Sequence, residues 1–232
     1  MNEEASASPK TPETACIYSS REAWEAALNV KQKDRPEFQY VDIDPSLDSV
    51  LLIGDSISMG YTVTVRQALA GRANVCRIPV NGGDSARGLQ WLDRWVGSIP
   101  WRVIHFNWGL HDLKYLRDGE LDFAGQLVST PEQYETQLRK LAARLQQTGA
   151  TLIWAATTPV PEGAGGRVPG SELTYNERAA KVMHELGIAV NDLHAHIAER
   201  LDGNQLPRNV HFTDGGYALL GAKVTEVIAR EL

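Results

Sequence analysis

Cysteine is scarce in this chain. Cys16 and Cys76 are the only two among 232 residues, far apart and without metal-ligand spacing. That excludes a disulfide framework and a thiolate metal centre, and both are read as free thiols. Long apolar runs are missing as well: none approaches the roughly 20 residues that a membrane helix needs. Positive charge is in deficit, with 23 Lys and Arg against 29 Asp and Glu and a formal net charge of −6. No basic run or patch stands out, so neither nucleic acid nor an anionic membrane is expected as a partner. The opening segment, MNEEASASPKTPETAC, has no basic stretch followed by an apolar one and is no signal peptide as it stands. The expected location is the cytoplasm, or outside it for a protein whose signal is absent from this sequence.

What is present is ordinary for a globular α/β domain: 43% apolar and 22% charged residues. Residues 1 to about 15 are poor in apolar side chains and read as disordered. In SSREAWEAALNV, Trp24, Ala27 and Leu28 recur at helical spacing, and EFQYVDIDP reads as extended. Residues 1–47 are therefore taken as an N-terminal extension and 48–232 as one domain, with no internal repeat.

From Ser49 onward, short apolar runs alternate with amphipathic segments. SVLLI, NVCRIPV, RVIHFNW, TLIWAATT and GIAVND have the length and β-branched character of buried strands. TPEQYETQLRKLAARLQQTG reads as a helix, with Thr130 as N-cap, Pro131 first and Gln133 closing a capping box. Its apolar stripe is Tyr134, Leu138, Leu141 and Leu145, and Gly149 stops it. TYNERAAKVMHELG and a last helix capped by Thr213 repeat the pattern. This alternation predicts a parallel sheet covered on both faces, whose ligands lie beyond the carboxyl ends of the strands.

Those ends carry Gly54-Asp55-Ser56, then Asn81-Gly82-Gly83-Asp84-Ser85, then Asn107-Trp108-Gly109-Leu110-His111-Asp112, and late in the chain NVHFTDGGY with His211. A hydroxyl, glycine-rich turns and a late histidine are the parts needed for nucleophilic acyl transfer. Each alone has a plainer reading: Ser56 as a helix cap, Gly82-Gly83 as a turn, Asp55 and Asp112 as caps. The G-x-S-x-G elbow is absent, because Ser58 stands where its second glycine would be.

Together, IGDSIS, NGGDSARGL, GLHD and NVHFTDGGY resemble the four blocks of the SGNH (GDSL-type) hydrolases, especially a bacterial branch with HFNWGLHDLK and VHFT. The likeness runs from about Asp48 to the C-terminus. It implies a flavodoxin-like three-layer α/β/α sandwich with a five-stranded parallel sheet. It also implies ester hydrolysis through an acyl-enzyme, without metal or organic cofactor. Ser56 inherits the role of nucleophile and, through its N–H, of oxyanion donor. Gly83 inherits the second donor and His211 the general base. The implied substrates are small acyl esters, O-acetyl groups on carbohydrate first. A thioesterase, lysophospholipase or acyltransferase would share every catalytic residue, and a non-enzymatic carbohydrate-binding relic is the reading of another class.

Two departures from the family pattern stand out. His111 occupies the place of the family's asparagine, so either its imidazole or the amide of Asn107 is the third oxyanion donor. Arg208, three residues before His211, occupies the place of the triad acid. Asn209, a backbone carbonyl, Asp202 or Asp214 is left to orient the base, with Asp214 equally placed to complement a helix dipole. Asp55, Trp108 and Arg167 are candidates for substrate contact. Trp108 has core packing as its alternative, and Arg167 lies in the glycine-rich EGAGGR, read as a flexible loop over the site. Trp91, Trp95, Trp101 and Trp154 are assigned to the core. His194 and His196, two apart on a helix, diverge and make no metal pair.

Overall fold

A computed structural model describes residues 16–232; residues 1–15, expected to be disordered, lie outside the described residues. The strands in chain order are β1 (Asp48–Ile53), β2 (Ala73–Arg77), β3 (Trp101–Phe106), β4 (Tyr115–Arg117), β5 (Glu120–Leu121), β6 (Gln126–Leu127), β7 (Thr151–Ala155) and β8 (Ala189–Asn191). The helices are α1 (Arg21–Ala27), α2 (Ser56–Ala68), α3 (Ser85–Val96), α4 (Pro131–Gln146), α5 (Glu172–Leu186), α6 (Leu193–Ala198) and α7 (Asp214–Ala229).

Five strands form a parallel sheet in the order β2-β1-β3-β7-β8. Each is short and apolar, and β1 is buried at every residue after Asp48. Helix α2 packs on α7 and α7 on α6, while α3 packs on α4 and α4 on α5. The sheet is thus the middle of three layers. Chain connections leave β1 towards β2 on one side and return across it to β3 on the other. This reversal opens a crevice beyond the carboxyl ends of β1 and β3.

Local signals account for the helix limits. Thr130 and Gln133 form the reciprocal capping box of α4, and Tyr134, Leu138, Leu141 and Leu145 are its buried stripe. Gly187 closes α5 in the left-handed conformation, at φ 67°. Close packing of α2 on α7 depends on absent side chains: a Cβ on Gly60 would lie 2.1 Å from the Tyr217 ring.

Two parts of the fold differ from the sequence reading. The segment after β3 holds a small antiparallel sheet, β5-β4-β6, made of strands too short to leave a periodic signal. The EGAGGR segment is tied to that sheet rather than flexible: Tyr115 N–H donates to Gly166 O at 2.7 Å, and Lys114 and Arg167 form a β-bridge. The segment before Asp48 contributes to the same core. Tyr18, Trp24 and Phe38 are buried, with Phe38 in a short 3₁₀ turn (Pro36–Phe38) inside the stretch read as extended.

Trp24 Nε1–H donates to Phe38 O at 2.6 Å, and its ring stacks on Tyr18 at 5.7 Å. Trp24→Ala should therefore cost about 3–5 kcal/mol. Urea unfolding should show one transition moved to lower denaturant; a separate early transition would mean that residues 16–47 fold independently of the sheet.

Candidate active site

The site begins where β1 runs out. Gly54 leaves the sheet, and Asp55 caps α2 by accepting the Ile57 N–H at 2.9 Å. Ser56 is the first residue of α2, so its N–H has no intrahelical acceptor and points from the positive end of the helix dipole. Ser56 Oγ lies 2.8 Å from His211 Nε2.

On the other side of the imidazole, Asn209 Oδ1 is 2.7 Å from His211 Nδ1. The same Asn209 atom accepts the backbone N–H of His211 at 3.1 Å. A backbone N–H only donates, so this atom is the amide oxygen. Nδ1 therefore carries the imidazole proton, and Nε2 turns its lone pair to Ser56. A tight turn creates the arrangement: Leu206 N–H donates to His211 O at 2.9 Å, and Arg208 adopts a left-handed φ of 57°. Asp202 and Asp214 do not reach His211. Both are exposed, and Asp214 opens α7 behind the Thr213 cap. Burial lowers the His211 pKa from its ordinary value; Asp55 opposes this and Arg167 adds to it.

His111 and Asn107 have different environments. The Asn107 amide donates to Ala155 O at 2.7 Å and to Thr157 Oγ1 at 3.2 Å, which commits it to the exit of β7. Both of its amide protons are thereby engaged. His111 Nδ1 lies 3.2 Å from the Lys114 ammonium, a group with protons only to give. Nδ1 is therefore the acceptor and the proton sits on Nε2. Burial is the main force pushing the His111 pKa down to about 4, so the ring is neutral at pH 7.

The glycine turn is more constrained than its sequence suggests. Gly82 N–H donates to Gly54 O at 3.0 Å, which ties this turn to the end of β1. Gly83, at φ 67°, gives its N–H to Asn81 Oδ1 at 2.9 Å. That donor is already engaged by a neighbouring side chain.

The three candidate contact residues are buried. Asp55 is 2% exposed, with Oδ1 used in capping and Oδ2 unpartnered. Trp108 is fully buried, and a Cβ on Gly88 would meet its ring at 2.8 Å, so it is packing rather than a sugar platform. Arg167 is 8% exposed, and its Nε–H donates to Leu110 O at 2.9 Å, bracing the loop that carries His111. Conversely Trp91, assigned to the core, is 41% exposed, because the α3 stripe turns Leu92 and Trp95 inward instead.

Two residues support the site from behind: Arg77, which sequence reasoning missed, and Asp112, which it read as a helix cap. Arg77 is wholly buried in β2; its guanidinium donates to Ile78 O at 2.8 Å, Val80 O at 3.2 Å and Ser58 Oγ at 3.2 Å. Ser58 Oγ in turn donates to Asp55 O at 2.8 Å. One cation thus links the loop leading to Gly83 with the first turn of α2. A charge inside the apolar run NVCRIPV was the visible signal. The second support is Asp112, which accepts the Ser85 N–H at 3.1 Å and so holds the start of α3.

Burial pushes the Asp112 carboxyl up from 3.8 to about 7, against the opposing hydrogen bonds from Ser85. A folded pKa above the unfolded one favours the protonated fold. Its contribution is complete below about pH 3.8 and is lost as pH rises to and through about 7. Asp112→Asn stays neutral, so its urea-unfolding stability should decline less than that of the wild type between about pH 4 and 8. Parallel pH courses for the two proteins would refute this assignment.

Comparison with known proteins assigns the chain to a family. The chain matches the GDSL-like Lipase/Acylhydrolase family over residues 52–219. No curated protein sequence matches it. Among solved structures, it is similar to a lipase/acylhydrolase from Enterococcus faecalis at 19% identity and TM-score 0.67, covering 80% of this chain and 97% of that one. It is similar to Axe2, an acetylxylan esterase from Geobacillus stearothermophilus, at 17% and 0.63, covering 79% and 93%. For the acetyl xylan esterase AlAXEase the values are 16% and 0.64, covering 78% and 99%. Identities this low speak for the fold, and the family match for the chemistry: the chain belongs to the GDSL-like lipase/acylhydrolase family and is a carboxylic ester hydrolase.

Proposed function

We propose that the protein removes short acyl groups, O-acetyl groups on carbohydrate first, through an acyl-Ser56 intermediate. The observation that carries this reading is the continuous Ser56–His211–Asn209 relay, at 2.8 and 2.7 Å. Two further features favour a small acyl group and a polar alcohol. The cleft beside Gly83 and His111, about 340 Å³, is lined mainly by polar and charged side chains and offers no apolar channel for a long chain. Two of the similar solved structures are acetyl xylan esterases.

In the proposed mechanism His211 Nε2 takes the Ser56 proton as Oγ attacks the ester carbonyl. The oxyanion forms opposite the Ser56 N–H and the His111 Nε2–H. The Gly83 N–H becomes a third donor when the oxyanion displaces the Asn81 amide oxygen. Collapse breaks the C–O bond, and His211 returns the proton to the leaving alcohol. His211 then takes a proton from a water, which attacks the acyl carbonyl, and returns it to Ser56 Oγ as the acyl C–O bond breaks and the carboxylic acid leaves. Asn209 orients the ring but brings no negative charge to the imidazolium, unlike the aspartate of other triads.

Ser56→Ala should lower kcat on p-nitrophenyl acetate by roughly 10⁴–10⁶ with the fold intact. A fluorophosphonate should label Ser56; an active enzyme labelled at Ser85, or not at all, would overturn the nucleophile. Asn209→Ala should cost less than His211→Ala, because the base itself remains. His111→Ala should cost about 10²–10³ in kcat, with partial recovery in His111→Asn; a near-normal His111→Ala enzyme would remove that donor.

The base must be neutral, and its pKa is lowered, so the acid limb of kcat/KM should lie below pH 6.5. Asn209→Asp sets a carboxylate against the imidazole and should move that limb upward. A limb unmoved by this change would mean that His211 is not the titrating base.

A further inference from the structure

The cleft beside the active site does not end there. Its walls include Gly83, His111, Asn29, Lys114 and Arg87. A second cleft of about 180 Å³ is lined by Ala27, Val80, Arg87, Trp91 and Arg94. Val80 and Arg87 belong to both, so one groove leaves the oxyanion side of the site and follows α3 to Trp91. Its opposite wall is the end of α1 and the turn after it, contributed by the N-terminal segment outside the matched family region.

The groove's charge runs against that of the molecule. The chain is −6 overall, yet Arg87, Arg94 and Lys114 all line this groove, and only Asp84 opposes them there. Among the described residues none of the three cations has a carboxylate within 4.0 Å, whereas Arg139, Arg144 and Arg178 of α4 and α5 are all paired. Guanidinium groups left unpaired beside an open groove suit a planar carboxylate. At the far end Trp91 is 41% exposed, with the Arg94 guanidinium 5.8 Å from its ring centroid. An exposed indole offers a flat apolar face to a sugar ring, and at the active-site end the amides of Asn29 and Asn81 suit hydroxyl groups. A lipid chain would find too little apolar wall.

We infer that this groove binds an oligosaccharide carrying carboxylate groups, held between Trp91 and Lys114, so that an acetyl ester on one of its sugars meets Ser56. The delivery of the ester rests on the esterase reading above; the binding of the acidic chain does not.

The test separates the two. An unacetylated oligogalacturonide and a neutral xylo-oligosaccharide of equal length are titrated into the whole protein by calorimetry, and p-nitrophenyl acetate hydrolysis is measured in parallel. The acidic chain should bind about tenfold or more tightly than the neutral one, and salt at about 0.5 M should erase most of that preference. Arg94→Gln and Trp91→Ala should each weaken binding about fivefold or more, and Arg94→Lys should recover part of the loss. Both positions are on the exposed face of α3, and thermal unfolding checks that the variants are folded. Equal binding of the two oligosaccharides, or a preference that survives both substitutions, overturns the groove. Preferential binding without ester hydrolysis supports the groove and removes the esterase reading. Hydrolysis without preferential binding removes the groove alone.

Discussion

The burial of β1 is the constraint from which the site follows. The strand lies between β2 and β3, with helices on both faces, and every residue from Ser49 to Ile53 is buried. A strand enclosed in this way cannot carry a reactive polar side chain without leaving it unsolvated. The first positions free to do so are those just past the sheet, and there the chain places Gly54, Asp55 and Ser56. Asp55 turns the exit into a helix start, and that start gives Ser56 an unpaired N–H. In the proposed mechanism nucleophile and oxyanion donor are thus one residue because a helix begins there.

The rest of the site is held to that point by groups that do not react. Arg77, with no carboxylate within 4.0 Å among the described residues, bridges the loop towards Gly83 and the first turn of α2. Its guanidinium lies over the Phe38 ring at 4.6 Å, so the N-terminal segment braces the first turn of α2 from behind. Asp112 anchors α3, and Arg167 anchors the loop bearing His111. Lys114 selects the tautomer of His111 in the same way that Asn209 selects that of His211. In both histidines a neighbour with a single hydrogen-bonding sense decides which nitrogen carries the proton.

Replacing an acid by Asn209 has an electrostatic consequence. A carboxylate beside the base would hold its pKa up; a neutral amide leaves burial unopposed at that position, and the His211 pKa falls. The nearby carboxylate that favours the imidazolium is Asp55, which caps α2. In the proposed mechanism the base therefore stays neutral over a wider acidic range, and the developing cation is stabilised from a greater distance.

The amino-acid sequence by itself determined the strand–helix alternation, the capping box of Thr130 and Gln133, the stop at Gly187 and the order in which Ser56, Gly83, His111 and His211 reach one edge of a sheet. These are local patterns, or patterns of one strand end after another, and a local rule can read them. Tertiary structure alone decided among Asn209, Asp202 and Asp214, because the choice depends on how one turn folds back against His211. It decided that Asn107 is spent on Ala155 and Thr157, from strand β7. It buried Trp108 and Arg167, exposed Trp91, and built the small sheet β4-β6 from strands of two or three residues. Each of these outcomes depends on contacts between segments far apart in the chain, or on which face of a helix turns inward. A side chain's type and its immediate neighbours do not carry that information.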